Sequence, residues 1–493
     1  MTRITLARIV IAVFTLLLLS VIVNARSMAQ QPTDQCLVCH ESIGDKPSRL
    51  FKHDIHLKKG ITCAGCHGGD SSKDDMELAM NAKAGFIGVP RGDRISEVCA
   101  HCHADVSTMK SFGSSLRTDE YQLLRGSVHG KYATEGKQRI AQCTTCHGAH
   151  GIVSPKDPSS SVYPTRVVAK CASCHSNAAY MQAYNPALPV DQLEKYRTSV
   201  HGEKNAHGDA KVAECASCHG SHDIRPAKDA KSSVYSVNIP QTCATCHADA
   251  AYMKPYGIPT DQYEKYAKSV HGIALLEKHD TGAPACNSCH GNHGATPPGV
   301  QSISKVCGTC HALNAELFAS SSHKKVFDER KIPECESCHS NHLVEHATRS
   351  LLGVATGATC ARCHTPQDNS HGYTVAKEMR SLMDSLSEVD SSAGSVLSQA
   401  EQKGMEVSEA TFKLRDARQA LMESRTVVHS FDFGKFKTVV DKGLSTATAS
   451  REEGDRAIHE YYVRRIGLGI ATLFMTFLAV SLFLVIRRME RKK

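Results

Sequence analysis

The chain has no tryptophan, and aromatic residues fill 5% of its 493 positions. A chain this long ordinarily folds as about two to four domains around apolar side chains, and so few large rings exclude a core of the usual aromatic kind. No thiol is left over, because all 22 cysteines fall in pairs inside one recurring pentapeptide. The formal net charge is +8, but the lysines and arginines are scattered between the recurring motifs and not gathered on one element there, which gives nucleic-acid binding no support. No segment shows a convincing strand pattern, so no sheet is expected.

What is present is Cys143-Thr144-Thr145-Cys146-His147 and ten further copies of its Cys-x-x-Cys-His pattern. The first cysteines are Cys36, Cys63, Cys99, Cys143, Cys171, Cys215, Cys243, Cys286, Cys307, Cys335 and Cys360. The second are Cys39, Cys66, Cys102, Cys146, Cys174, Cys218, Cys246, Cys289, Cys310, Cys338 and Cys363. The adjoining histidines are His40, His67, His103, His147, His175, His219, His247, His290, His311, His339 and His364. Two cysteines three apart can add as thioethers to the vinyl groups of one porphyrin, while the next histidine folds under the ring and ligates its iron. One copy would equally fit half a zinc site, a redox pair or a disulfide framework. None of those needs the attached histidine every time, so eleven copies favour haem.

On these motifs the stretch from Cys36 to about His371 resembles the multihaem c-type cytochromes, most like the class III and related tetrahaem to octahaem members built from haem-pair modules. The resemblance implies about eleven covalently attached haem c groups and electron transfer, without naming donor or acceptor. Porphyrins would then supply the missing core, each offering a flat apolar face for side chains to cover. Without them most of Cys36 to His371 is expected not to fold. With roughly two propionates per haem, the positive formal charge is a weak guide to partners.

Spacing organises the region. Cys99, Cys171 and Cys243 are 72 apart, and Cys143, Cys215 and Cys286 are 72 and 71 apart, so the repeat carries two motifs. A unit reads as a helix ending in Ser-Val-His-Gly, a loop, Cys-x-x-Cys-His-Gly-x-His, another loop, then a second motif and a helix. The fold expected is mainly α with extensive irregular loops: a haem-cored array, then long antiparallel helices and one C-terminal transmembrane helix.

The expected domains follow in order. Residues 1–29, with Arg3 and Arg8 ahead of an apolar run, read as a secretory signal or an uncleaved anchor. Residues 30–372 form the undecahaem domain. Residues 373–465 form a haem-free helical hairpin or coiled-coil stalk. In it Val375, Leu382, Val389 and Val396 recur every seven, interleaved with Met379, Leu386, Ala393, Ala400, Val407, Leu414 and Leu421. Gly394 and Gly404 are places for a bend, and the return is expected over Phe436 to Tyr462. Residues 466–486 are an uncharged apolar run of 21, long enough to cross a bilayer. The basic tail 487–493 would stay cytoplasmic, placing the haems in the periplasm on the outer face of the inner membrane.

The remaining histidines bear on carrier against enzyme. A pure electron carrier needs a sixth ligand on every iron, since an open position invites substrate chemistry. His129, His201, His271 and His323 stand in Ser-x-His context, and His150, His222, His293 and His342 lie three residues past a motif histidine. His53, His56 and His371 complete a set of eleven candidates, with plain surface histidine as their alternative. His101, His207, His279 and His346 do not repeat in register, and His429 and His459, on the haem-free helices, are read as surface residues, with a quinol role as the alternative. Met109, Met181 and Met253 follow motif histidines by six, but Leu317 in the fourth place favours packing over ligation.

The leading expectation is a membrane-anchored relay between a quinol-linked or other membrane dehydrogenase and periplasmic or outer-membrane acceptors, with no residue catalytic. The alternative is a terminal oxidoreductase of a small nitrogen or sulfur compound at one five-coordinate haem, although no Cys-x-x-Cys-Lys motif occurs. A helix-mediated oligomer through 373–428 is a further expectation.

Overall fold

The computed structural model, described for residues 34–131, 140–296, 303–367 and 371–491, is helical, with no strand among the described residues. The expected signal at 1–29 lies outside them. Two compact units make up the chain, Met1–Thr245 with Gly291–Thr296, and Cys246–His290 with Pro297–Lys493.

Within both units the motifs are single helical turns or helix ends. Cys143–His147 and Cys335–His339 are helices of five residues, whereas Pro164–His175 runs 12 residues and ends on its motif. Either way the two cysteines stand one turn apart on one face. The residue after the first kind must turn sharply, and Gly148 and Gly220 do so with φ of 80 and 76. Ser340 takes the same conformation, φ 64, without a glycine's freedom.

The Ser-Val-His-Gly segments have a common build. Ser199 is buried, donates its hydroxyl to the Tyr196 carbonyl at 2.6 Å and accepts from the Gly202 N–H at 2.9 Å. Ser127 and Ser269 repeat both bonds. They act as N-caps for the turn that carries the histidine. The following glycine is obligatory: a Cβ on Gly202 would sit 1.9 Å from the Tyr196 carbonyl oxygen. Met109, Met181 and Met253 are buried as packing residues on the helices that follow second motifs.

The second unit also holds three long helices, Gly372–Gln402, Ser408–Val427 and Phe433–Glu490. The seven-residue seam does not run through one helix as expected. Gly404, at φ 77, breaks it, and the second helix folds back. Met379, Leu386, Ala393 and Ala400 are buried as read, but the companion row is Ala376, Met383 and Leu397, with Val375, Leu382 and Val389 half-buried beside it. The third helix provides the expected return, and beyond Phe436 and Val440 its buried face is made of small residues: Gly443, Ala447, Ser450, Gly454 and Ala457. Their size lets the helices approach closely, for a Cβ on Gly443 would come 2.8 Å from that of Ala420.

Past this bundle the third helix continues, alone and exposed, through Ile466–Ile486. It is long and apolar enough to cross a membrane. At the rim of that segment the Lys403 ammonium lies over the Tyr461 and Tyr462 rings, 5.1 and 5.2 Å from their centroids.

Candidate metal centres

Among the described ring contacts, nine motif histidines each face a second histidine ring. In the first unit His67 faces His150 at 6.1 Å between centroids, His103 faces His56 at 5.9 Å, His147 faces His222 at 6.2 Å, His175 faces His129 at 6.0 Å and His219 faces His293 at 6.0 Å. In the second unit His290 faces His342 at 5.9 Å, His311 faces His271 at 6.3 Å, His364 faces His323 at 6.0 Å and His339 faces His429 at 5.9 Å.

These separations have a chemical meaning. A coordinating imidazole nitrogen sits about 2 Å from a first-row metal, so two rings on opposite sides of one ion have centroids roughly 6 Å apart once each ring's radius is added. Ordinary ring contacts in the same molecule scatter instead, from 3.7 Å for His323 and Phe431 through 4.6 Å for Tyr180 and Tyr184 to 6.5 Å for Phe318 and Phe431. The residues therefore fit an iron between each pair, with the porphyrin joined to the neighbouring cysteines. Burial pushes the pKa of His129, His147, His175, His219 and His342 below the usual imidazole value. That favours the neutral ring, the form that donates a lone pair to a metal. Several rings are also aimed through Nδ1: His67 toward the Gly88 carbonyl at 2.8 Å and His56 toward Asp54 at 2.8 Å. None of the 22 cysteines is in a disulfide.

The pairing is long-range and follows a rule. A histidine three residues past a motif never meets that motif's own histidine; it reaches back two motifs, as His222 does to His147 and His342 does to His290. A Ser-x-His histidine, or His56 in the Asp-Ile-His that takes its place in the first repeat, serves a motif 40 to 47 residues further on, as His129 does His175. The two kinds differ in angle. The first kind is nearly parallel, at 9 to 12°, and the second is inclined at 42 to 87°.

One backbone bond fastens the two kinds together in successive repeats. The residue before a histidine of the second kind donates to the carbonyl two residues past a reaching-back histidine: Ile55 to Ile152, Val128 to Ile224, Val200 to Ala295 and Val270 to Val344, at 2.8 to 3.2 Å. His201 thus shares the register of His129 and His271. First cysteines make the other junction, with Cys99 lying beside Cys143, Cys171 beside Cys215, and Cys307 beside Cys335. Within each unit these motifs are linked in turn through their ligand side and their thioether side.

Three expected assignments change. The structure brings neither His53 nor His371 to a motif histidine; both are exposed. His429, read as a surface residue, faces His339 and is pushed below the ordinary imidazole pKa by burial. It stands in no repeat, so only its place in the fold reveals it. His40 makes a 2.6 Å contact between Nδ1 and Asp45 and, among the described residues, faces no second histidine.

Residues 55–176 match the model of the cytochrome c3 family. Over 217 residues the chain is 22% identical to the C-type polyheme cytochrome OmcC of Geobacter sulfurreducens, an alignment covering 37% of this chain and 25% of that protein. The chain thus spans about a quarter of the length of this curated relative. No solved structure matches. With the motifs, these likenesses support a multihaem c-type cytochrome carrying covalent haem c, with electron transfer as its class of function.

Proposed function

We propose that the chain binds eleven haems c, most of them held between two imidazoles, and relays electrons along them. The observation that carries this is the narrow band of histidine separations, 5.9 to 6.3 Å in nine pairs, each with one member inside a Cys-x-x-Cys-His turn. Bound haem supplies reversible one-electron chemistry. The chain's own paired histidines hold most of these groups on both faces and keep substrates off the iron, and adjacent motifs lie side by side at Cys99 and Cys143 and their counterparts. Bis-imidazole ligation favours low potentials relative to methionine ligation.

The exposed apolar run Ile466–Ile486 supports an inner-membrane anchor, with Arg487, Arg488 and the following basic residues cytoplasmic and the haems periplasmic. A quinol-linked or other membrane dehydrogenase is the proposed donor, and a periplasmic or outer-membrane protein the acceptor. An oligomer formed through 373–428 would use the outer helix faces, since the apolar seam is buried within the chain. Intact mass of the holoprotein tests the count: eleven haems are expected, and fewer than nine would remove the basis of the reading. Stopped-flow reduction should show all haems passing electrons to an oxidised acceptor protein, with no turnover of nitrite, hydroxylamine or sulfite.

A second reading, reduction of a small nitrogen or sulfur compound at one five-coordinate haem, is favoured by His40. Its side chain is 47% exposed and its Nδ1 meets the Asp45 carboxylate, an arrangement that strengthens an imidazole as a donor. Carbon monoxide binding to the reduced protein at the Cys36–Cys39 haem, with turnover of such a compound, would favour this reading over the relay.

A further inference from the structure

We propose that His429, on the helical bundle, is the sixth ligand of the haem attached at Cys335 and Cys338, so that the bundle is joined to the array through an iron. This rests on reading the motifs as haem sites and goes beyond it, because nothing in the repeat pattern points to this histidine.

Four observations converge on it. His429 and His339 have centroids 5.9 Å apart, inside the band of the other pairs. Their planes meet at 23°, nearer the parallel kind at 9 to 12° than the inclined kind. The Nδ1 of His429 donates to the Thr426 carbonyl at 3.0 Å, which fixes the ring and turns its other nitrogen into the acceptor a metal requires.

The fourth observation is positional. In four repeats, the residue two past the reaching-back histidine pairs with the residue before a histidine of the inclined kind, Ser-x-His in three and Asp54-Ile55-His56 in the first. Two past His429 is Phe431, and its ring stacks on the Ser-x-His histidine His323 at 3.7 Å. The short turn Val428–Ser430 therefore occupies the place that the segments of His150, His222, His293 and His342 hold in their repeats. Each of those serves the motif two earlier. The tenth motif has no later motif two places on, because the chain has already become the bundle, and the bundle brings a histidine to that place.

The test uses the full-length holoprotein, scored by haem count, spin state and potential. His429→Ala is expected to keep eleven haems while about one in eleven irons becomes high-spin, returning to low-spin on added imidazole. His429→Met is expected to keep every iron low-spin and shift one haem to higher potential, as methionine ligation does. His459→Ala, an exposed histidine further along the same bundle, is expected to change neither. If His429→Ala binds eleven haems with an unchanged low-spin spectrum and no shifted potential, the assignment is overturned while the haem reading stands. If wild-type protein carries no covalent haem, the haem reading fails first.

Discussion

The Val270 N–H donates to the Val344 carbonyl at 2.8 Å, and that one bond holds the turn carrying His271 beside the turn carrying His342. Val270 is the first residue of its helical turn, and Ser269 ahead of it is extended, with φ -75 and ψ 162. Proline fits such a position sterically. Val270→Pro therefore removes the donor with little other disturbance and leaves a carbonyl unpaired, at a cost of about 1–3 kcal/mol. The expected result is a lowered Tm with a normal haem count. An unchanged Tm would mean that the bond carries no weight.

Ligation across repeats has a sharper signature. His222→Ala should free the iron of the Cys143–Cys146 motif, not that of Cys215–Cys218, whose own histidine His219 is three residues away. In a background where Cys143 and Cys146 are serine, the same substitution should add no high-spin signal in electron paramagnetic resonance. If it adds one there, His222 serves some other iron.

Gly372 packs against a motif histidine: a Cβ there would come 2.1 Å from Nδ1 of His364. Gly372→Ala must push that ring away or shift the first bundle helix. One haem should lose its low-spin spectrum, and stability should fall by about 1–3 kcal/mol, the usual cost of overpacking. A variant with wild-type spectrum and Tm would contradict this packing.

Removing haem should separate the two kinds of core. Residues 372–462 have their own apolar interior, with Leu386, Leu414, Phe436 and Val440 almost fully buried. The motif region has few such side chains and depends on porphyrin. In cells lacking haem attachment, limited proteolysis should digest 34–367 and spare the bundle. Survival of both would show that the motif region folds without its cofactor.

Much of this was legible from local pattern. The pentapeptides, the two-motif repeat and the helix-rich architecture all rest on short spacings that a single turn or seam enforces. The pairing of histidines did not show, because His147 and His222 meet across 75 positions with only chain topology to bring them together. His429 was hidden for the same reason and also lacks the repeat that made the others visible. The heptad misled by a register step: counting through Gly404 treated as one helix what the left-handed residue turns into two.

The third bundle helix begins at Phe433 and reaches its apolar stretch only at Ile466. At 1.5 Å per residue that interval is about 50 Å of backbone without a porphyrin. With the apolar stretch seated in a bilayer and the helix upright, the stalk is an insulator rather than a wire. Under the proposed supply of electrons from a membrane dehydrogenase, charge would then need a second carrier, one that shuttles beside the stalk or docks along its length, and its rate of transfer would depend on that carrier's concentration.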